Sequence, residues 1–150
     1  MINTNKVLVI GTDHGGFEMK EFLKKALEEE GYHLKNFGVN SADSVDYPDI
    51  IHPLAHAINT GEFERGIIIC GSGNGAQMTA NKYPNVRAAL CWNEEQSKLS
   101  REHNNANIMS LPGRAISFEQ ALKMVRIFLT TEFEGGRHAR RVAKISQTII

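Results

Sequence analysis

Short aliphatic runs alternate along this chain with longer segments of helical spacing, and that alternation decides the class of fold. KVLVIG (6–11), YHLKNFG (32–38), RGIIIC (65–70), VRAALCW (86–92) and ANIMSL (106–111) read as strands. Helical patterns follow at 17–30, 49–61, 93–103 and 117–133, a further one opens after the glycines at 71–75, and a last one runs from 137 to about 145. Pro53 is expected in the first turn of the 49–61 helix, and 41–48 is expected to be loop. RGIIIC is almost wholly apolar, as a strand covered on both faces must be. The pattern predicts an α/β fold with helices on both faces of about five parallel strands, in the order 2-1-3-4-5. In such sheets ligands bind beyond the carboxyl ends of the strands, where the strand order reverses. The polar exits GTDHGG (11–16) and CGSGNG (70–75) would then line one crevice.

With 150 residues, 41% of them hydrophobic, residues 1–150 suit one domain with its own core. Lys plus Arg and Asp plus Glu each number 17, so the net charge is zero. A nucleic-acid or membrane-surface protein normally carries a basic excess, so neither partner is expected. No apolar run approaches the roughly 20 residues of a membrane span. MINTNKVLVIG reads as a first strand and not a signal peptide. The two cysteines, Cys70 and Cys91, therefore read as reduced thiols of a cytoplasmic protein.

GSGNGA (71–76) fits a relaxed G-x-G-x-x-G/A pattern after a strand, with Glu94 downstream. Successive glycine N–H groups at a helix start can cradle a phosphate or an oxyanion, and spacing alone does not say which. A plain turn is the bland alternative. A dinucleotide is disfavoured because the motif follows the third strand and no substrate domain remains. Cys70 alone would be a core cysteine. Its position before that loop instead suits a reactive thiol, because a helix N-terminus favours the thiolate. Cys91 has no such loop and reads as core. Asp13 and His14 share a strand exit, where an Asx turn with a solvated histidine competes with a binding role. Asp46–Tyr47–Pro48 could be a turn before a helix. In REHNNAN (101–107), Asn104 or Asn105 could cap a helix and His103 could complement its dipole. Arg137 and Arg141 are four apart and share a helix face, which suits a phosphate. His52 and His56 are also four apart, but no Glu between them makes a metal motif, so a surface or packed pair is expected.

Together GTDHGGFEMK, DYPD, ICGSGNGAQMTANK, SREHNNANI and EGGRHARRV closely resemble ribose-5-phosphate isomerase of the B type, in order and over nearly the whole chain. That family also contains allose-6-phosphate and galactose-6-phosphate isomerases. The resemblance implies a Rossmann-like three-layer α/β/α subunit that forms dimers or tetramers. It also implies interconversion of aldose and ketose phosphates through a cis-enediolate, with neither metal nor cofactor. By the resemblance Cys70 is the base that moves the proton between C1 and C2. Ala76 stands where other members carry a glutamate base, which marks the cysteine subtype. Gly71, Ser72, Gly73, Asn74 and Gly75 match the loop around the enediolate oxygens, with Ser72 in place of the common threonine. His103 matches the ring-opening acid, with Asn104 beside it. Asp13, His14 and Tyr47 match substrate contacts, and Arg114, Arg137 and Arg141 match the phosphate site.

One expectation is geometric. His103 follows a helix and precedes a strand, so it should lie nearer the amino end of the sheet than Asp13 and Cys70 do. An active site shared between two subunits follows most simply. The substrate is expected to be ribose 5-phosphate, with a hexose 6-phosphate as the alternative. A non-catalytic phosphosugar- or nucleotide-binding module is the reading from another class, and an NAD-dependent oxidoreductase ranks third.

Overall fold

The computed structural model describes residues 6–147. Five parallel strands form one sheet: β1 (Val7–Thr12), β2 (His33–Asn36), β3 (Gly66–Cys70), β4 (Ala88–Leu90) and β5 (Ile108–Pro112). The helices are α1 (Phe17–Glu29), α2 (Tyr47–Asn59), α3 (Asn74–Ala80), α4 (Glu94–Glu102), α5 (Phe118–Thr130) and α6 (Arg137–Ile145).

Alternate residues of the strands feed two cores. On one face Leu8, Ile10, Ile67, Ile69, Met109 and Leu111 meet Leu23 and Leu27 of α1 and Phe128 of α5. On the other, Val9, Ile68, Cys70 and Ile108 meet Ile51 and Leu54 of α2 and Ala76 and Ala80 of α3. Each fully buried Leu or Ile contributes roughly 1.5–3 kcal/mol through the water its side chain leaves. The period-2 alternation therefore fixes the register, and it points the Cys70 side chain toward α2 and α3.

The sheet order is β2-β1-β3-β5-β4, which corrects the expected 2-1-3-4-5. β5 is buried at all five positions, whereas β4 keeps only three paired residues, two of them half-buried. The longer apolar strand takes the interior, and the shorter one, flanked by Arg87 and the exposed Trp92, forms the edge. Both segments are aliphatic enough to be strands, so composition did not separate them.

Helix α2 begins earlier than expected. Tyr47 and Pro48 belong to its first turn, and Pro53 sits inside the helix and not at its start. There it removes the N–H that would bond the carbonyl of Asp49.

Candidate active site

The carboxyl edge of the sheet is assembled by main-chain bonds. Thr12 ends β1, and its hydroxyl donates to the Ile69 carbonyl at 2.9 Å, tying the first strand exit to the third. Asp13 then accepts from the Gly15 N–H at 3.0 Å, closing the turn His14–Gly16 ahead of α1. His14 accepts a bond from the Val45 N–H at its Nδ1, 3.2 Å away, so a neutral ring carries its proton on Nε2. An open cleft of about 440 Å³ lies here, lined by Asp13, His14, Asp46, Tyr47 and Asp49 among others.

Cys70 ends β3 almost buried, at 5% exposure, where the glycine loop begins. Because β5 is the neighbour of β3, its exit braces that loop. Gly113 N–H donates to the Cys70 carbonyl at 2.9 Å, Arg114 N–H to the Gly71 carbonyl at 3.0 Å, and the Ser110 hydroxyl to the Gly73 carbonyl at 2.7 Å. Gly73 adopts a left-handed φ of 80° just before α3, which a residue with a side chain rarely tolerates. Gly75 is required by close approach: a Cβ there would stand 2.4 Å from Cζ of Tyr47. Tyr47 thus bridges the cleft and the glycine loop. The exposed Ser72 hydroxyl accepts from the Asn74 N–H at 3.2 Å.

Asp13, His14, Tyr47, Cys70, Gly71, Ser72, Gly73, Asn74, Gly75 and Arg114 therefore share one edge. His103, Asn104, Arg137 and Arg141 belong to the opposite one. β5 climbs about 13 Å from Ile108 to Pro112 at roughly 3.3 Å per residue, and His103 lies before that strand starts. The separation of Cys70 from His103 within a subunit matches the geometric expectation. It also parts Arg114 from Arg137 and Arg141.

At the amino edge His103 caps α4, and its ring stacks on that of His138, with centroids 4.3 Å apart and planes 13° apart. The buried His138 reaches Glu134 through Nε2 at 3.5 Å. Donor atoms of His103, Glu134 and His138 lie within 4.8 Å of one another, the one metal-capable cluster among the described residues. His52 and His56 instead meet Tyr83, with His52 Nδ1 2.9 Å from its hydroxyl.

Two site features escaped the sequence reading. Ser110 was one more polar residue in a strand until the true order set it beside the loop. Lys20 is a charged residue within the helical stretch 17–30, yet it is fully buried. Its ammonium donates to Asn36 Oδ1 at 3.1 Å and to the Val39 carbonyl, and pairs with Glu21 at 3.3 Å. Burial lowers its pKa from the ordinary lysine range, and Glu21 partly offsets that. Lys20 holds the chain after β2, whose Gly38 and Val39 bond Thr12 on both sides. It therefore supports the floor beneath Asp13.

Residues 8–145 match the model of the Ribose/Galactose Isomerase family. The chain belongs to that family. It is 36% identical over 141 residues to Ribose-5-phosphate isomerase B of Escherichia coli (strain K12), covering 94% of this chain and 95% of the relative. It is 34% identical to D-erythrulose-4-phosphate isomerase of Pectobacterium atrosepticum, covering 92% and 91%. Among solved structures, Ribose-5-Phosphate Isomerase B of Clostridium thermocellum is 45% identical with a TM-score of 0.92, covering 94% of this chain and 95% of that one. That of Mycoplasma genitalium, solved with bound ribulose-5-phosphate, is 36% identical with a TM-score of 0.91, covering 94% of each. Family members of this kind are isomerases, and this chain is an enzyme of the same class.

Proposed function

We propose that the protein interconverts ribose 5-phosphate and ribulose 5-phosphate through a cis-enediolate, in a site built from two subunits. The observation that carries the proposal is the Cys70 thiol at the end of β3, beside a glycine loop braced by Ser110, Gly113 and Arg114. The ribulose-5-phosphate held by a relative of the same fold supports this choice of substrate.

Isomerisation needs a base beside C2 of the open-chain aldose and donors toward the oxygen that gains charge. The Cys70 thiolate removes the C2 proton as electrons shift from the C–H bond toward the C1 carbonyl oxygen. N–H groups of the glycine loop stabilise the oxyanion. The thiol then returns the proton to C1, the C2 hydroxyl passes its proton to the oxyanion on C1 and becomes the carbonyl, and the ketose results. Asp13 and Tyr47 hold sugar hydroxyls. Asp46 and Asp49 keep the phosphate away from the cleft floor, so it lies by Arg114, with Arg137 and Arg141 of the partner subunit completing its site. The cyclic aldose first needs a proton on its ring oxygen and loses one from O1. An imidazole suits that exchange near neutral pH, and the proposal gives it to His103 of the partner subunit, with Asn104 of the partner subunit beside it.

Purified protein assayed with ribose 5-phosphate, allose 6-phosphate and D-erythrulose 4-phosphate tests the substrate assignment. Fastest turnover of ribose 5-phosphate is expected, and EDTA should not reduce it. Preference for another sugar would reassign the substrate, and binding without turnover would leave only a phosphosugar-binding module.

A further inference from the structure

We propose that His103, Glu134 and His138 form a site for a borderline transition-metal cation, zinc(II) above all, and that occupancy of this site inhibits the enzyme. The binding stands on the cluster alone, whereas the inhibition rests on the ring-opening role proposed for His103.

The three donors come from separate points of the chain: the cap of α4, the segment before α6, and the first turn of α6. Nevertheless their ligand atoms lie within 4.8 Å of one another. Zinc bonds of about 2.0–2.2 Å in tetrahedral geometry set ligand atoms roughly 3.3–3.5 Å apart. The contact between Glu134 Oε2 and His138 Nε2, at 3.5 Å, already has that spacing. The remaining edges close by side-chain rotation, which slides the stacked His103 ring across its neighbour.

The backbone under these side chains is held in place. Glu134 N–H donates to the Glu102 carbonyl at 3.1 Å, and His138 N–H to the Gly135 carbonyl at 3.0 Å. Arg101 fastens α4 to the end of α5 through the Thr131 carbonyl, also at 3.1 Å. Little order remains to be imposed when a cation arrives.

The donor set selects the metal class. Two imidazoles and one carboxylate suit zinc, cobalt, nickel or copper, and do not suit magnesium or calcium, which need mostly oxygen ligands. Three protein ligands leave one position open for water. A metal bound to an imidazole nitrogen takes the lone pair through which His103 would exchange a proton with the sugar. Turnover of the cyclic aldose should therefore stop, while carbon-bound proton exchange from the ketose continues.

The test separates binding from function. Cobalt(II) is titrated into full-length protein carrying Cys70→Ala, which removes the thiol beside the glycine loop as a competing ligand. One cobalt per chain with the intense visible bands of a low-coordinate site is expected, and Glu134→Gln or His138→Asn added to this protein should abolish them. Absence of those bands, or their persistence in both variants, overturns the site. In the otherwise unchanged enzyme, zinc(II) should inhibit ribose 5-phosphate turnover with reversal by EDTA. Glu134→Gln should need at least roughly 10-fold more zinc, since even groups that only support a ligand change affinity by that much. Equal zinc sensitivity in the variant overturns the link to inhibition and points to the thiol instead. Cobalt bound as expected beside zinc-insensitive turnover would keep the metal site and remove His103 from ring opening.

Discussion

The two edges of the sheet solve opposite electrostatic problems. In a parallel sheet with returning helices, helix N-termini gather at the carboxyl edge of the strands and C-termini at the amino edge. At the amino edge the negative helix ends are satisfied from within. Arg65 donates to the Leu129 carbonyl at 2.9 Å, Arg87 to that of Asn105 at 2.9 Å, and Arg101 to those of Thr131 and Ala106 at 3.1 and 2.6 Å. A cavity of about 510 Å³ lies among these arginines, larger than the cleft at the other edge. Its guanidiniums are committed to carbonyls, so its size does not make it the active site. At the carboxyl edge the bracing runs largely through main-chain groups and hydroxyls, and side chains such as Arg114, Ser72 and His14 face solvent. The arginine-lined cavity is closed by its own charges, and the cleft at the carboxyl edge is left for a ligand.

The two cysteines divide along the same line, and the largest effect should fall on them. Cys70→Ala is expected to cut isomerisation by about 10²–10⁴-fold, the range for losing a general base, while substrate still binds. Cys91→Ala, in the core beneath β4, should leave turnover near wild type. Comparable losses in both variants, measured by steady-state kinetics, would erase the distinction.

Next in size is the amino edge itself. Arg101→Met should lower the unfolding free energy by about 2 kcal/mol, because it strands carbonyls that a half-buried charged donor now satisfies. Urea titration reads this directly. A change below about 1 kcal/mol would mean that water replaces the guanidinium.

Cys91 also gives a pH signature of burial. Its thiol is pushed up from the ordinary 9.0 to about 11, chiefly by burial, with Ser97 and Ser100 acting in the opposite sense. Below pH 9 both folded and unfolded chains hold the proton. Between pH 9 and 11 the unfolded chain loses it first, so stability falls by about 2–3 kcal/mol over that window. Cys91→Ala should lack this part of the decline. Identical alkaline unfolding profiles for variant and wild type would show that the site is wetter than its packing implies.

The smallest effect is expected for the two arginines proposed to hold the phosphate. Arg137→Ala or Arg141→Ala should raise KM about 10-fold with little change in kcat, since phosphate is held alike in ground and transition states. A fall in kcat alone would assign these residues to the chemistry or to the assembly.

Much of the carboxyl edge was legible in the sequence, because its signals are local. The apolar run Ile67–Cys70 could only be a covered strand, and the glycines after it could only be a tight loop. What was illegible depends on partners far along the chain. The exchange of β4 and β5 turns on which strand is longer and better covered, and that choice brings Ser110 to the loop. Lys20 follows helical periodicity as a polar residue, yet the chain after β2 folds over it and supplies carbonyl partners. Glu134 is an ordinary acid in TEFEGG until α6 turns His138 back beneath His103. The position of Pro53 was misread because a proline inside a helix is tolerated only where tertiary packing outweighs its lost bond.

The proposed site, with Cys70 from one edge and His103 from the other, would require two subunits. Cys70→Ala and His103→Asn chains, co-expressed with different tags and isolated as mixed dimers, measure that requirement. Each homodimer should be nearly inactive on ribose 5-phosphate. In the mixed dimer one of two shared sites regains both residues, so roughly half the wild-type activity per dimer is expected. A mixed dimer as inactive as its parents would contradict a shared site and return both residues to a single subunit.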